Sequence, residues 1–228
     1  GLFKDEEDVR SSPRQDFGGK EVLPGDIKYK DVNGDGVVNN DDIVPIGYRT
    51  VPGVQYGMGL STSWKNFEFN ILFQGSGKCD FFIGGNGPHA FRNGQTGNIL
   101  QTMVDDNRWI PSEISGDIST ENPNANWPRL TWGNNDNNNQ KSTFWLRDGR
   151  YIRLKNIELR YNVPTTFTRK FFVSNMQIGF IGENLHTWSP FKLWDPENAT
   201  TDEKNSGVRS GNAYPINRTY SCYIKLSF

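Results

Sequence analysis

The chain of 228 residues sets 25 lysines and arginines against 26 aspartates and glutamates, for a net charge of −1. That balance excludes the basic surface that nucleic acid requires. Hydrophobic residues make up only 34% of the sequence, and no run approaches the roughly 18 apolar residues of a membrane helix. Barrel strands escape that exclusion, because they are short and only every second residue is apolar.

The chain opens on Gly1-Leu2-Phe3-Lys4-Asp5-Glu6-Glu7, which has neither the cationic start nor the apolar stretch of a signal peptide. It reads as the middle of a loop, so a fragment of a longer polypeptide is expected. Residues 1–53 are polar and punctuated by Pro and Gly, whereas residues 54–228 carry the strand signals. In the first segment Asp31, Asn33, Asp35, Val37, Asn39 and Asp42 fit a twelve-residue calcium loop, with Gly36 at the sharp turn. Calcium takes roughly six to eight hard oxygens, and this spacing, with the Val37 carbonyl, wraps them round one centre. The competing reading is an Asx/Gly-rich turn braced by its own side chains, and no clear helix flanks the loop. A structural Ca2+ ion is expected on the first reading and none on the second.

Next comes a hairpin. Tyr56, Met58, Leu60, Thr62 and Trp64 alternate with Gln55, Gly57, Gly59, Ser61 and Ser63. After a tight turn at Lys65-Asn66, Phe67, Phe69, Ile71 and Phe73 alternate with Glu68, Asn70, Leu72 and Gln74, a two-residue hairpin pattern. Residues 76–142 form a long Gly- and Asn-rich stretch, with one short helix expected over 98–109, where Ile99, Met103 and Trp109 share a face. Loops of this length are uncommon and usually functional or mobile. Strand signals return over 144–163, where Ile157, Leu159, Tyr161 and Val163 face away from Glu158, Arg160 and Asn162. They return again at Met176, Ile178 and Phe180. A second long loop, over roughly residues 186–213, precedes the last strand. There Tyr220, Cys222, Ile224, Leu226 and Phe228 point one way, and Thr219, Ser221, Tyr223, Lys225 and Ser227 the other.

Alternation alone fits a soluble sandwich as well as a transmembrane barrel. The connections discriminate. From Tyr56 onward they run short, very long, modest, long, which is the asymmetry of an outer-membrane barrel with short periplasmic turns and long outer loops. Counting back from a periplasmic C-terminus places both long loops and the N-terminal segment outside. The expected fold class is all-β: about five C-terminal antiparallel strands of a large transmembrane barrel with long extracellular loops.

Several ordered motifs resemble the C-terminal region of the SusC/RagA family of TonB-linked outer-membrane transporters of Bacteroidetes. They begin with Pro24-Gly25-Asp26-Ile27-Lys28-Tyr29-Lys30-Asp31-Val32-Asn33-Gly34-Asp35-Gly36, then Ile46-Gly47 and Tyr56-Gly57. They continue through Glu121-Asn122-Pro123-Asn124-Ala125, Pro128-Arg129 and Ser142-Thr143-Phe144-Trp145-Leu146-Arg147-Asp148-Gly149-Arg150-Tyr151. Gly182-Glu183-Asn184-Leu185, Trp194-Asp195-Pro196-Glu197 and Tyr214-Pro215 complete the series, and the terminal aromatic Phe228 resembles the signal read by barrel-assembly machinery. The resemblance implies a 22-stranded type of barrel with a plugged lumen. It also implies import of glycans or peptides, with a SusD-like surface lipoprotein as lid and TonB as the driver. The plug, the TonB box and most strands would lie upstream. About five strands cannot close such a barrel, and an open edge cannot sit in lipid.

On this reading Tyr220, Cys222, Ile224, Leu226 and Phe228 face lipid and Lys225 the lumen. Trp64 and Tyr161 belong to an interfacial girdle. Trp109, Trp127, Trp132, Trp188 and Trp194 lie in or beside the outer loops, where aromatic faces stack on cargo, pack against one another or join the girdle. Cys79 and Cys222 have no metal spacing and are expected to be free thiols. His89 and His186 are isolated, Gly84-Gly85-Asn86-Gly87 lacks the Lys-Ser/Thr of a phosphate loop, and Asp195 with Glu197 reads as a turn rather than a glycosidase pair. No enzymatic activity is expected. The rival class is a soluble, extracellular, calcium-stabilised β-domain that binds carbohydrate, and it requires the apolar strand faces to be buried against a second sheet.

Overall fold

The computed structural model describes residues 1–94, 98–105 and 107–228. Among them the strands are β1 (Arg14–Gln15), β2 (Val37–Val38), β3 (Val54–Trp64), β4 (Phe67–Gly77), β5 (Asp80–Ile83), β6 (Leu146–Asp148), β7 (Tyr151–Val163), β8 (Asn175–Trp188), β9 (Val208–Arg209) and β10 (Thr219–Ser227). Short helices are α1 (Glu6–Ser11), α2 (Gln101–Asp105), α3 (Ser112–Ser115), α4 (Thr165–Thr168) and α5 (Thr201–Ser206). The chain divides into two compact units. One takes Gly1–Gly47, Phe82–Arg147 and Thr201–Asn212, and the other takes Tyr48–Phe81, Asp148–Thr200 and Ala213–Phe228. A single boundary near residue 53 is therefore replaced by an interleaved division. Strands gather by ladder hydrogen bonding, and the segments between them gather with the N-terminal stretch.

The strand unit is a five-stranded antiparallel sheet in the order β10-β8-β7-β4-β3. The β3–β4 hairpin closes at Trp64↔Phe67, with Lys65 at φ 52° making the reversal. Side chains directly opposite one another share a face. One face thus carries Tyr56, Met58, Leu60 and Trp64 of β3, Phe67, Phe69, Ile71 and Phe73 of β4, and Ile157, Leu159 and Tyr161 of β7. Ile178 and Phe180 of β8, with Cys222, Ile224 and Leu226 of β10, continue it. The opposite face is polar. There Asn70 donates to Glu158 at 3.0 Å, Asn162 donates to Glu68 at 2.9 Å and Gln177 donates to Asn162 at 2.8 Å. Arg160 bridges Glu68 at 3.1 Å and Glu158 at 3.3 Å, so one network crosses β4, β7 and β8.

Two backbone devices shape this sheet. The β4–β7 register slips where Leu72 pairs Asn156 and Phe73 pairs Leu154, leaving Lys155 as an extra residue. Such a bulge resets which face each following side chain takes. Strict alternation from Ile157 would put Arg153 on the apolar face; the bulge instead sets Arg153 opposite Gln74 and Thr187, on the polar one. At Gly179 a Cβ would lie 2.1 Å from the ring of its cross-strand partner Tyr223, and at Gly75 2.4 Å from that of Tyr56. In each pair the ring occupies the space that the missing side chain vacates.

The strand expected over 144–163 is interrupted at Gly149-Arg150, giving β6 and β7. The helix expected over 98–109 shortens to α2, with Met103 and Trp109 buried; Asp106 lies outside the described residues. In the loop unit β1 pairs with β2 in parallel, Phe82 and Ile83 pair with Val208 and Arg209 in parallel, and Leu2 bridges Ile27. Phe3, Ile27, Ile83, Met103, Trp109, Trp127 and Trp145 are buried there.

Candidate functional site

The last strand sits at one edge of the sheet and pairs with β8 from Thr219↔Glu183 to Ser227↔Asn175. Its apolar side chains are uncovered: Tyr220 is 62% exposed, Ile224 63% and Phe228 88%, and Cys222 is an exposed free thiol. Met58, Leu60, Phe67, Leu159 and Ile178 on the same face are exposed as well. In water a contiguous apolar face of this breadth is an aggregation surface, and it marks contact with another apolar phase. A sandwich would bury these residues behind a second sheet, so their exposure counts against the soluble β-domain.

Aromatic residues mark both ends of this face. Trp64, Phe67 and Tyr161 cluster beside the β3–β4 turn, where Phe67 and Tyr161 have ring centroids 4.7 Å apart and Lys65 lies over Trp64. At the far end Tyr56, Gly75, Ile152 and Trp188 form one cross-strand row. Eight residues of β3 separate Trp64 from Tyr56, about 27 Å along a strand. A strand tilt of about 40° reduces that to roughly 20 Å across a membrane, near the height of a barrel's apolar band.

The five loop tryptophans separate into distinct environments. Trp188 ends β8 on the apolar face, beside His186 and Phe73, so the second long loop begins after it and not at His186. Trp109 and Trp127 are each only 4% exposed. Trp127 packs on Trp145, and a Cβ on Gly25 would fall 2.3 Å from the Trp109 ring. These two indoles hold the loop unit together and offer no stacking face. Trp194 is half-buried edge-on to Phe191. Trp132 is exposed, resting against Phe91 while Lys20 donates to its carbonyl.

The acidic motif forms a turn that satisfies itself. Asp31 accepts from the amides of Gly34 and Gly36 at 2.6 and 2.9 Å, and Asp35 from that of Val37 at 2.8 Å. Asn33 accepts from the Asp35 amide and Asn39 from the Asp41 amide. Asp42 accepts from Val32, Asn33 and Asn39, and the amide of Asn39, then that of Val32, holds its carboxyl below the usual carboxylate range. Among the described residues no three His, Cys, Asp or Glu side chains form a group that could hold a metal ion.

Two buried ionic centres were illegible as sites in the sequence. In the loop unit Asp26 is fully buried. Its carboxylate meets the Arg129 guanidinium at 2.8 and 2.9 Å and accepts from Asn135 at 3.2 Å, Asn138 at 2.7 Å and the Leu23 amide at 2.9 Å. Asn138 in turn accepts the Ile27 amide, and its carbonyl accepts the Trp145 indole. In the strand unit Arg153 is 1% exposed. One of its nitrogens lies 2.6 Å from both Asp195 oxygens, another lies 3.2 Å from Glu197, and the cation sits over Tyr151. Asp195 also accepts the Glu197 amide, so the two acids are a turn that clamps a loop to β7.

His186 lies edge-on to Trp188 near the end of β8. His89 is buried edge-on to Trp145 with both ring nitrogens unpartnered, and burial, then the Arg92 charge, pushes its pKa down to about 4. The cavity beside it is only about 30 Å³, close to the share of one water.

No family model matches the chain. It is 29% identical over 232 residues to TonB-dependent receptor P26 of Formosa agariphila, covering 100% of this chain and 22% of that protein. It is 28% identical to TonB-dependent receptor P3 of the same organism, over 90% of this chain and 19% of that protein. The chain thus spans about a fifth of these curated relatives. Among solved structures, the RagAB peptide importer in its open-open state gives a TM-score of 0.61 at 20% identity, covering 89% of this chain and 20% of that one. Its closed-closed state gives 0.60 at 21% identity, over 83% and 19%. With the sheet, its exposed apolar face and the ordered motifs, these likenesses show that the chain is similar over its whole length to one segment of TonB-dependent receptors and shares the β-barrel fold of the RagAB importer.

Proposed function

We propose that this chain forms wall and outer loops of a TonB-dependent transporter that imports glycans or peptides with a SusD-like lipoprotein. The observation that carries the reading is the single sheet with one exposed apolar face and one hydrogen-bonded polar face. A barrel wall needs that pairing, with lipid outside and a hydrated lumen inside. Residues 1–53 and both long loops face outward, the C-terminus is periplasmic, and the remainder of the barrel, the plug and the TonB contact lie on the rest of the polypeptide. Its part in transport is binding and shape. Growth of a strain lacking the full-length transporter, on defined glycan and peptide mixtures, tests the function. Loss of growth on one class, with the lipoprotein recovered in a pull-down of the intact transporter, is the expected result. A detergent-free, monomeric chain with Ile224, Leu226 and Phe228 buried would overturn it.

We also propose a structural Ca2+ on Asp31, Asn33, Asp35, Val37, Asn39 and Asp42. The oxygen spacing supports it, and the two Asp31 oxygens, which accept one amide each, keep a second lone pair. Binding would draw the three carboxylates inward from their amide-capped positions. Chelation should raise hydrogen exchange over residues 31–42 of the intact transporter, with calcium restoring protection. Indifference to chelator leaves the self-braced turn as the whole account.

A further inference from the structure

A cavity of about 490 Å³ opens at the end of the sheet remote from the β3–β4 turn. Its lining joins two kinds of surface. Tyr56, Ile152 and Trp188 come from the single cross-strand row on the apolar face, with the Tyr56 ring lying over Gly75. Just beyond that row stand Arg150, Ser189 and Lys192. Ser76 also lines the cavity, and it is 3% exposed with its hydroxyl lacking a partner. Among the described residues the lining contains no carboxylate, although Asp148 pairs with the Arg150 Nε at 2.9 Å and leaves the two terminal nitrogens of that guanidinium for another acceptor.

We propose that this cavity binds a phosphorylated lipid of the outer leaflet, its acyl region on Tyr56, Ile152 and Trp188 and its phosphate on Arg150 and Lys192. The inference rests on the reading of the apolar face as lipid-facing. Three features choose this occupant. The apolar floor is continuous with that face, so an acyl chain reaches it without leaving hydrocarbon. The cations stand at the level where a barrel's aromatic belt meets headgroups. An arginine and a lysine without a lining acid suit a phosphate, which accepts charge-assisted hydrogen bonds from both. A neutral sugar would gain nothing from that charge, and a free anion nothing from the apolar floor.

The test uses the full-length transporter, purified in detergent and stripped of lipid. Native mass spectrometry then measures retention of phosphatidic acid against diacylglycerol, which has the acyl chains without the phosphate, with inorganic phosphate as competitor. Wild type should retain one phosphatidic acid, and the Arg150→Gln/Lys192→Gln double variant should retain about tenfold less. Arg150→Lys should keep most of the binding, and Lys170→Gln, on the turn between β7 and β8, should match wild type. Equal retention by the double variant, equal retention of diacylglycerol, or displacement by inorganic phosphate would each overturn the proposal. Heat-modifiable migration of every variant reports the folded barrel separately. A folded barrel without lipid discrimination therefore sinks this inference alone, whereas a chain that never enters detergent sinks the transporter reading with it.

Discussion

Replacing Asp26 with alanine should destabilise the loop unit by about 3–5 kcal/mol, the range for breaking a buried ion pair from one side. Asp26 is fully buried, and five donors converge on its two oxygens. Removing it strands the Arg129 guanidinium, whose side chain is only 16% exposed, and leaves the Asn135 and Asn138 amides with fewer acceptors. Unmet buried donors keep their full desolvation cost. Loss should spread to the backbone through Asn138, because its side chain accepts the Ile27 amide and its carbonyl the Trp145 indole. Hydrogen exchange on the intact transporter should therefore show faster exchange at residues 23–30 and 133–140, with β3, β4 and β7 unchanged. Asp26→Leu with Arg129→Met should cost less than the sum of the single changes, since no charge is left unpaired. Wild-type exchange in Asp26→Ala would show that the pair contributes nothing.

That centre also shows where the sequence was legible and where it was not. Strand alternation has a period of two and needs no partner to be seen, so β3, β4, β8 and β10 could be read directly. The bulge at Lys155 could not, because a one-residue slip is set by pairing with β4 and leaves no mark on composition. Arg153 consequently looked like one more residue of an alternating strand. The run Gly133-Asn134-Asn135-Asp136-Asn137-Asn138-Asn139 looked like solvated loop, since asparagine is usually exposed. Here Asn135, Asn137 and Asn138 are buried because they serve as a scaffold for Asp26, Ile27 and Tyr29. The motifs Pro24-Gly25-Asp26 and Pro128-Arg129 therefore encode one distant ion pair. The tryptophans were legible only as alternatives: aromatic residues in a polar stretch fit cargo stacking, loop packing or a girdle, and Trp109 and Trp127 supply the core that so polar a unit otherwise lacks.

Arg153→Met should release the loop that follows β8 while leaving the sheet intact. The guanidinium is buried on the polar face and holds Asp195 through two contacts of 2.6 Å, whereas Glu197 is met at 3.2 Å near the surface. The partners should therefore be unequal. Asp195→Ala leaves a buried cation without its closer partner and should cost about 3–5 kcal/mol. Glu197→Ala removes a partly solvated charge and should cost about 1 kcal/mol or less. Arg153→Met removes the cation while keeping most of the buried volume, and it should cost less than Asp195→Ala because neither acid is then trapped without water. Exchange over residues 189–200 of the intact transporter should rise in the order Glu197→Ala, Arg153→Met, Asp195→Ala, with heat-modifiable migration retained throughout. If Glu197→Ala matched Asp195→Ala, the two acids would share the cation evenly and the geometric asymmetry would have no energetic counterpart. If none of the three altered exchange, the loop would be held by Phe191, Trp194 and the Ser189 contact to Arg150 instead. The observed order decides whether Trp194-Asp195-Pro196-Glu197 anchors an outer loop through charge or through packing.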